Sequence, residues 1–323
     1  MSPDPSPKAA EPSEAREVTL VSVTYRRAEL LDRMLHAVRS GSLIPGAAII
    51  VDNGDDAATR GVVAHHSPWA NLVLAGANLG VGGGLALGIR QALEHAEVQR
   101  IWTLDDDAIP DPGCLCSLVR VAQATKAGLV VPCITDHTGR LSWLPGFTDR
   151  KLFRAAQGAE PATWAPKCTE TAPRVRWATG ISWLLSRQAI EEGGLPRTDY
   201  LMLGEDIEYT LRIARSTGGR LATGAVVAHL PPDHAAMPGS HEIKFCALLQ
   251  NLAYTGTRLP GARFLLRAVA ADLRRCIRTF GWGMLPFAVQ AVWNGALLGQ
   301  PAGGAAFARL RSRVQSRRGW GPG

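Results

Sequence analysis

The chain has 323 residues, of which 46% are hydrophobic and 20% are charged, and its formal net charge is +7. This composition is typical of a globular protein and excludes a collagen, a coiled coil and a wholly disordered chain. The positive charge is concentrated at one end, because residues 243–323 hold 12 Lys and Arg residues against a single acidic residue, Asp272.

The N-terminal residues 1–16 contain four prolines and almost no apolar side chains. Such a segment cannot offset the entropy lost on ordering, so we predict a disordered N-terminal tail. This segment does not combine a basic start with an apolar core, and the six cysteines of the chain form no CxxC pair. These features indicate a reducing cytoplasm in which the thiols stay unpaired.

Residues 18–134 alternate between the periodicities of strands and of amphipathic helices. Strands are predicted at 18–24, 47–52, 71–76, 100–105 and 128–134, and helices at 29–38, 85–96 and 111–124. Strands that alternate with helices pair in parallel through crossover connections, so this order predicts an α/β sheet covered on both faces. Such a sheet binds ligands at the carboxyl ends of its strands.

Between residues 135 and 176 the alternation gives way to a stretch rich in Trp, Pro and Gly. Trp143, Trp164 and Trp177 lie near its turns. Aromatic side chains on loops beside a rigid sheet either hold a substrate or pack beneath a flap, and packing is the commoner fate. The run at 177–186 then predicts a strand, followed by a short helix from about Arg187.

The acidic triplet in IWTLDDDAIP is the strongest candidate for chemistry. An apolar strand ends in Asp105, Asp106 and Asp107, so three carboxylates crowd the carboxyl edge of the sheet. These like charges repel one another, and a hard cation such as Mg²⁺ or Mn²⁺ would relieve the repulsion. Asp105 and Asp107 are alternate residues and can converge on one ion. The alternative is a solvated acidic turn or a helix N-cap at Asp111.

Two further strand ends place polar side chains at the same edge of the sheet. Asp52 and Asn53 follow the apolar run AAIIV, and Asn78 lies in a glycine-rich turn that opens a helix. Glycines let the backbone approach a ligand closely, and a helix N-terminus favours phosphate. These glycines fit neither GxGxxG nor a P-loop, so neither nucleotide-binding class is indicated. A tight turn without a ligand explains them equally well.

Two later segments carry the remaining candidates. Glu205 and Asp206 open an amphipathic helix, where acids either cap the helix or supply a general base. His229 ends the apolar strand in GAVVAHLPPDH, where an imidazole either completes the ligand shell of a cation or is simply packed. His234 is a weaker candidate for the same position.

The C-terminal region begins with a predicted basic amphipathic helix at 262–280. Arginines occupy one face and apolar side chains the other, with Arg263, Arg267, Arg274 and Arg278 opposite Phe264, Leu265, Val269, Leu273 and Ile277. Such a helix suits anionic lipid headgroups. Residues 279–308 carry no charge but are broken by prolines and glycines, which predicts interfacial or core helices rather than a transmembrane span. A soluble helical subdomain is the alternative, and nucleic acid is disfavoured because no aromatic residues are interleaved with the arginines.

Five segments and one residue, in order, resemble the motifs of family 2 glycosyltransferases: VTLVSVTYRR, IIVDNGD, NLGVGGGLALG, IWTLDDDAIP, GEDIEYTLR and the strand-end His229. The similarity covers roughly residues 18–258 and is greatest to bacterial galactofuranosyl- and rhamnosyltransferases of cell-envelope assembly. It implies the type A glycosyltransferase fold, a mixed and mostly parallel sheet flanked by helices, with a C-terminal helical extension. The implied division is a disordered tail at 1–16, a catalytic domain at 17–258 and a basic helical region at 259–323.

The resemblance also implies a reaction. This reaction is an inverting transfer, dependent on Mn²⁺ or Mg²⁺, from a UDP- or dTDP-sugar to a lipid-linked or glycan acceptor. The residues implied to bind the nucleotide sugar are Thr24, Asp52, Asn78, Asp106 and Glu205. Asp105, Asp107 and His229 would hold the metal on the diphosphate, and Asp206 would take the proton from the acceptor hydroxyl.

A lipid-linked acceptor fits a cytoplasmic protein that lies on the inner face of the plasma membrane. A noncatalytic sugar-nucleotide or lipid-surface binding protein is an alternative, and the complete set of acids weighs against it. A nucleotidyltransferase is a further alternative, but the chain has no glycine-rich, basic N-terminal loop for a triphosphate. Trp183 stands where many family members carry a smaller or different residue, which predicts a different acceptor selectivity.

Overall fold

The chain forms a mixed sheet of eight strands in the computed structural model. The structure describes residues 13–168, 172–200, 203–230 and 240–303, together with 309 and 312. The strands are β1 (Ser13–Thr24), β2 (Leu43–Asp52), β3 (Ala70–Leu74), β4 (Arg100–Leu104), β5 (Ala108–Pro110), β6 (Leu129–Thr135), β7 (Ser182–Ser186) and β8 (Gly219–His229). Their order in the sheet is β3-β2-β1-β4-β7-β6-β8-β5. β7 runs antiparallel to β4 and β6, and β5 runs antiparallel to β8, while the other neighbours are parallel. The predicted mixed, mostly parallel sheet is confirmed.

Eleven α-helices are found in the described residues, and they flank the sheet and extend beyond it. They are α1 (Ala28–Arg39), α2 (Ala57–His65), α3 (Gly80–Leu93), α4 (Cys114–Thr125), α5 (Arg150–Ala156), α6 (Pro161–Trp164), α7 (Arg187–Gly193), α8 (Glu205–Thr217), α9 (Ser240–Arg258), α10 (Phe264–Phe280) and α11 (Leu285–Ala296). Short 3₁₀ helices follow α6 at Ala165–Lys167 and precede α11 at Trp282–Met284.

Two apolar cores lie on the two faces of the sheet. One core packs α1 and α4 against the sheet, and the apolar face predicted for α1 is buried in full: Leu30, Leu31, Met34, Leu35 and Val38. The other core packs α3, α7 and α8 against the opposite face. Helices therefore cover both faces, as the alternating pattern predicts.

β1 begins at Ser13, five residues before the predicted start at Val18. The early part of β1 pairs in parallel with β2, with Ser13 opposite Leu43 and Ala15 opposite Pro45, and Ala15 is buried. Backbone pairing with an equally extended neighbour orders this polar segment, so the prediction of disorder is wrong for residues 13–16. The rest of the predicted tail lies outside the described residues.

α3 begins at Gly80, so the glycines of the predicted turn belong to the helix itself. Gly80 has a φ of +71°, a left-handed conformation that favours glycine. A Cβ at Gly84 would lie 2.6 Å from Cγ1 of Val23, and one at Gly88 would lie 2.6 Å from Cγ1 of Val21. The lack of side chains thus lets α3 pack directly on β1.

The three C-terminal helices share a third apolar core with Leu211 of α8. The apolar face predicted for α10 is covered there, because Leu265 and Val269 are buried and Phe264 and Leu273 pack against them. The arginine face stays exposed, as predicted: Arg263, Arg267, Arg274 and Arg278. α10 therefore presents charge to the solvent and keeps its apolar side chains inside the protein.

Several large apolar side chains of the C-terminal region are nevertheless exposed. Trp282 precedes α11, Val289 and Trp293 lie on it, and Leu297 and Leu298 follow it, and each has at least half of its surface exposed. In the described part of the chain, no helix combines the length and the apolar character needed to cross a membrane.

All six cysteines are free, and Cys114, Cys133, Cys246 and Cys276 are buried. This matches the prediction of unpaired thiols. Burial is also the largest cause of the raised pKa of the Cys246 thiol, about 12.

Candidate active site

A cleft of about 430 Å³ lies at the carboxyl ends of β1, β2 and β4 and beside the first turns of α3 and α8. Six of the predicted site residues line it: Thr24, Asn78, Asp105, Asp106, Asp107 and Glu205. Asp52, Asp206 and His229 do not line the cleft but are next to residues that do: Asp52 precedes Asn53, Asp206 follows Glu205, and His229 contacts Asp107. The edge of the sheet that the sequence predicts for ligand binding is therefore where the polar side chains converge.

Asp106 and Asp107 are held by partners from the end of β1. Thr24 Oγ1 donates a hydrogen bond to Asp106 Oδ2 at 2.7 Å. The guanidinium of Arg27 lies 3.2 Å from Asp106 Oδ1 and 2.8 Å from Asp107 Oδ2. Burial raises the pKa of Asp106, although Thr24 and Arg27 both oppose that rise. Sequence analysis did not assign Arg27, and the available signal was a basic residue three positions after a strand end.

The topology brings His229 next to the acidic triplet. β5 pairs antiparallel with β8 so that Ala108 lies opposite His229, and the main-chain N–H of Leu230 donates to the carbonyl of Asp107 at 2.9 Å. His229 Nε2 consequently lies 3.2 Å from Asp107 Oδ1. The potential ligand atoms of Asp105, Asp107 and His229 all lie within 4.8 Å of one another. The structure thus assembles the three residues predicted to hold a metal; His234 lies outside the described residues.

Three observations test whether these side chains suit a cation. Nδ1 of His229 is buried and has no hydrogen-bond partner among the described residues. Burial, followed by repulsion from Asp107 and Asp106, raises the pKa of Asp105 well above its usual range. Burial also opposes ionisation of Asp107, but the hydrogen bond and charge of His229, together with Arg27, outweigh it and lower the pKa of Asp107. Two carboxylates and an imidazole that crowd one point are a ligand set that fits Mn²⁺ or Mg²⁺.

The Glu205–Asp206 pair opens α8 after a left-handed Gly204 with a φ of +91°. Asp206 Oδ2 accepts a hydrogen bond from Gly180 N at 2.9 Å, and Oδ1 accepts one from Ile207 N at 2.7 Å. Burial raises the pKa of Asp206 in spite of these backbone donors. Two backbone bonds fix the orientation of the carboxylate, which is the requirement for a base that must face one direction.

Glu205 differs from Asp206 in its surroundings. It lines the cleft, and its Oε2 is buried without a hydrogen-bond partner in the described part of the chain. Burial, and then the neighbouring Asp206, raise the pKa of Glu205 to about 8. A buried carboxyl group with an unpartnered oxygen is suited to form a hydrogen bond with a hydroxyl or to lie beside a positive charge.

Asp52 supports the loop that follows β2 rather than the cleft surface. Asp52 Oδ1 accepts a hydrogen bond from Gly54 N at 2.7 Å, and Oδ2 accepts one from Asp56 N at 2.8 Å. Both carboxylate oxygens are thus bonded to the backbone, and the residue is only 1% exposed. Its part in binding a nucleotide stays a prediction.

Asn53 and Asn78 fix the first turn of α3 at the edge of the cleft. Asn53 Nδ2 donates to the carbonyl of Gly80 at 3.0 Å, and Asn78 Oδ1 accepts from Gly80 N at 3.0 Å. Both residues line the cleft. Lys244 of α9 also lines the cleft, and it was not predicted from the sequence because the fold brings it near residues more than 100 positions away.

The tryptophans fall into two groups. Trp143 is 43% exposed, and its ring packs edge-on against His229 with the centroids 4.6 Å apart. Trp164 and Trp183 are each 1% exposed, and Trp183 Nε1 donates to the carbonyl of Thr179. Trp143 therefore stays a candidate for substrate contact. The expectation that Trp183 alters selectivity finds no support, because this side chain lies in the core.

Comparison with known proteins gives a family match. Residues 19–170 match the sequence profile of "Glycosyl transferase family 2". These residues include the second half of β1 and all of β2 to β6, and thus the acidic triplet.

Two relatives extend the match beyond that profile. Over 221 residues the chain is 31% identical to galactofuranosyltransferase GlfT1 of Mycobacterium tuberculosis. The alignment covers 67% of this chain and 70% of the relative. Over 218 residues the chain is 28% identical to N-acetylglucosaminyl-diphospho-decaprenol L-rhamnosyltransferase of the same species. This alignment covers 61% of this chain and 70% of the relative.

A solved structure shares the fold. The mannosyltransferase PcManGT of Pyrobaculum calidifontis, solved with GDP-Man and Mn²⁺, superimposes with a TM-score of 0.53 at 19% identity. The match covers 97% of this chain and 84% of the mannosyltransferase.

Proposed function

This chain belongs to glycosyltransferase family 2 and has the type A fold of that family, and we propose that it is an inverting, cation-dependent enzyme of cell-envelope assembly. The donor in this proposal is a nucleoside diphosphate sugar of galactofuranose or rhamnose type. The acceptor is a hydroxyl of a lipid-linked or other glycan. The relatives support this choice, since one is named as a galactofuranosyltransferase and another as a rhamnosyltransferase acting on a diphospho-decaprenol glycan.

One observation carries the proposal: the acidic triplet and the Glu205–Asp206 pair meet at one cleft although about 100 residues separate them in sequence. Such a meeting of carboxylates is costly unless it serves binding or chemistry, because burial and mutual repulsion both disfavour their ionised forms. Transfer of a sugar from a diphosphate needs a positive charge at the leaving group and a base at the acceptor. The two groups of acids can meet both needs.

Asp105, Asp107 and His229 are the residues that would hold Mn²⁺ or Mg²⁺. When bound, the cation would neutralise the negative charge that develops on the departing nucleoside diphosphate. Arg27 and Lys244 add positive charge to the same cleft and would contact the phosphates. Thr24, Asn78 and Asp106 would then face the nucleoside or the donor sugar.

Asp206 is the proposed base for the acceptor hydroxyl. Support comes from its two backbone hydrogen bonds, which aim the carboxylate, and from a pKa that burial raises above its ordinary value. Glu205 is the proposed contact of the donor sugar, since it lines the cleft with an unsatisfied oxygen among the described residues.

The proposal for the donor is tested by thermal shift and then by turnover. We expect UDP, dTDP or GDP to raise the Tm of the purified chain only when Mn²⁺ is present. At a ligand concentration about 100 times Kd, the added stability would be about 2.7 kcal/mol. The sugar forms of that nucleotide, supplied with a polyprenyl diphosphate glycan, should then release the diphosphate. Equal shifts with nucleoside monophosphates, with no dependence on Mn²⁺, would contradict the proposal.

For location, we infer that the C-terminal region holds the enzyme at the inner face of the plasma membrane. The exposed Trp282 and Trp293 have the amphipathic rings that settle at a bilayer interface, and the exposed arginines of α10 suit anionic headgroups. The apolar face of α10 is unsuited to insertion because it packs inside the protein. The apolar contact with lipid would therefore come from the residues around α11.

This location predicts binding to vesicles that depends on lipid charge. The full chain should sediment with phosphatidylglycerol vesicles, less with phosphatidylcholine vesicles, and less at high salt because salt screens the arginines. The double change Trp282→Ser and Trp293→Ser should lower the bound fraction several-fold. Phe153→Ser is the matched control, since Phe153 is also partly exposed but lies on α5. Equal binding to both lipids, or an equal loss in the control, would speak against this location.

A further inference from the structure

A second cluster of metal-type side chains lies between α1 and the end of α2. Asp32 and His36 are one turn apart on α1, and His66 follows α2 directly. None of the three residues lines the cleft. We call them the Asp32 cluster.

The spacing of these side chains matches a coordination site. His66 Nε2 lies 3.1 Å from Asp32 Oδ1, and His36 Nδ1 lies 3.4 Å from the same oxygen. One potential ligand atom from each of the three residues lies within 4.8 Å of the other two. Two ligands about 2.1 Å from a tetrahedrally coordinated ion lie about 3.4 Å apart. The two distances from the imidazole nitrogens to Asp32 Oδ1 are therefore close to the edge length of such a tetrahedron.

The donor chemistry distinguishes this cluster from the cleft. The Asp32 cluster offers two imidazoles and one carboxylate, whereas the cleft offers two carboxylates and one imidazole. Imidazole nitrogen favours Zn²⁺ and similar transition metals, and carboxylate oxygen favours Mg²⁺ and Mn²⁺. A single chain thus carries two ligand sets with different metal preferences.

The cluster is also accessible and partly pre-arranged. The side chains of Asp32 and His36 are 41% and 59% exposed, which lets an ion reach them from solvent. The imidazole of His66 is only 3% exposed and is packed in place, with its ring 6.5 Å from that of Trp69. His65 stands beside the cluster, with its ring 6.3 Å from that of His36.

We infer that Asp32, His36 and His66 form a binding site for a transition-metal ion of the Zn²⁺ class, separate from the cation site of the cleft. The ion would link α1 to α2. α1 directly follows Arg27, which bonds Asp106 and Asp107, and α2 begins after Asp56, whose N–H bonds Asp52. The ion would thus hold α1 and α2 together, and each of these helices begins next to a loop at the edge of the cleft.

The alternative is that the cluster is only a hydrogen-bonded contact between the two helices. His36 Nδ1 lies 2.9 Å from the carbonyl of Asp32, and His66 Nε2 bonds the Asp32 carboxylate, so the side chains have partners without an ion. Both arrangements contribute to stability, and therefore a loss of stability on mutation does not separate them. Only binding of the metal itself does.

The test is isothermal titration of chelator-treated full chain with Zn²⁺. The background variant Asp107→Asn weakens the cleft site, so that the remaining binding reports the Asp32 cluster. In this background we expect the protein to bind about one equivalent of Zn²⁺. The change His36→Gln should lower the Zn²⁺ affinity at least about 10-fold, the effect expected when a group at a metal site is lost. His95→Gln is the matched control, because His95 is likewise exposed and lies 3.8 Å from one carboxylate, that of Glu97.

A second variant and a second measurement guard against misfolding. Asp32→Asn should also lower Zn²⁺ affinity, and circular dichroism should show that each variant keeps the helix content of the parent. Co²⁺ added to the Asp107→Asn protein should give the visible absorption of a tetrahedral site, and His36→Gln should remove it. Unchanged Zn²⁺ binding in His36→Gln and Asp32→Asn, or no binding in the Asp107→Asn background, would overturn the inference.

Discussion

Asp206→Asn is expected to lower the rate of sugar transfer by about 10²- to 10⁴-fold while the donor is still bound, because the variant removes the proposed base but keeps the size of the side chain. An amide oxygen can still accept the hydrogen bond from Gly180 N, but the amide nitrogen cannot accept the one from Ile207 N. Release of nucleoside diphosphate in the presence of acceptor measures the rate, and thermal shift with the nucleotide measures donor binding.

Glu205→Gln is the matched comparison for that variant. It changes the neighbouring carboxyl group, which lines the cleft and whose Oε2 has no hydrogen-bond partner among the described residues. We expect a smaller loss of turnover and a larger loss of donor affinity than in Asp206→Asn. Turnover of Asp206→Asn within a few-fold of wild type would end the assignment of Asp206 as base. If wild type released no diphosphate from any donor, a noncatalytic binding protein would be the better description.

Asp107→Ala is expected to abolish transfer, with no rescue by added Mn²⁺ or Mg²⁺. Asp107 contacts His229 at 3.2 Å and Arg27 at 2.8 Å, so its removal takes away a proposed metal ligand and leaves two basic side chains without this partner. Loss of several kcal/mol of transition-state stabilisation corresponds to a rate lowered at least about 10²-fold. Excess chelator should lower the rate of wild type by a similar factor, and added Mn²⁺ should restore it.

Asp111→Asn serves as the control for charge in the same segment. Asp111 is exposed and lies just beyond β5, and it does not line the cleft. The turnover of Asp111→Asn should stay within a few-fold of wild type, and chelator should lower it by the same factor as in wild type. Full activity of wild type in excess chelator would reject a role for the cation.

The sequence was most informative where a local pattern determines where a side chain lies. An apolar strand that ends in polar residues places them at the carboxyl edge of a parallel sheet, and the acidic triplet was found in this way. Asn78 was found from the glycine-rich turn that opens a helix, and Thr24 was implied only by the resemblance to the family. The buried face of α1 followed from helical periodicity in the same manner. These features need no knowledge of distant contacts.

The sequence was least informative where a role depends on contacts between distant segments. Arg27 is an ordinary surface-type residue until the sheet brings it to acids about 80 positions away. Asp52 satisfies the same strand-end pattern as Asp105, but the turn after β2 bonds both of its carboxylate oxygens. α2 was not predicted because only Thr59 and Val63 of its nine residues are buried, which leaves little periodicity to detect.

Because a methyl group at Gly84 or Gly88 would overlap Val23 or Val21, any larger residue at these positions would hold α3 farther from β1. Asn78, Gly80 and Val81, at the start of α3, line the cleft, so the two glycines also set the width of the cleft. Leu203 and Lys244 line the same cleft from outside α3, and their size can vary without displacing that helix.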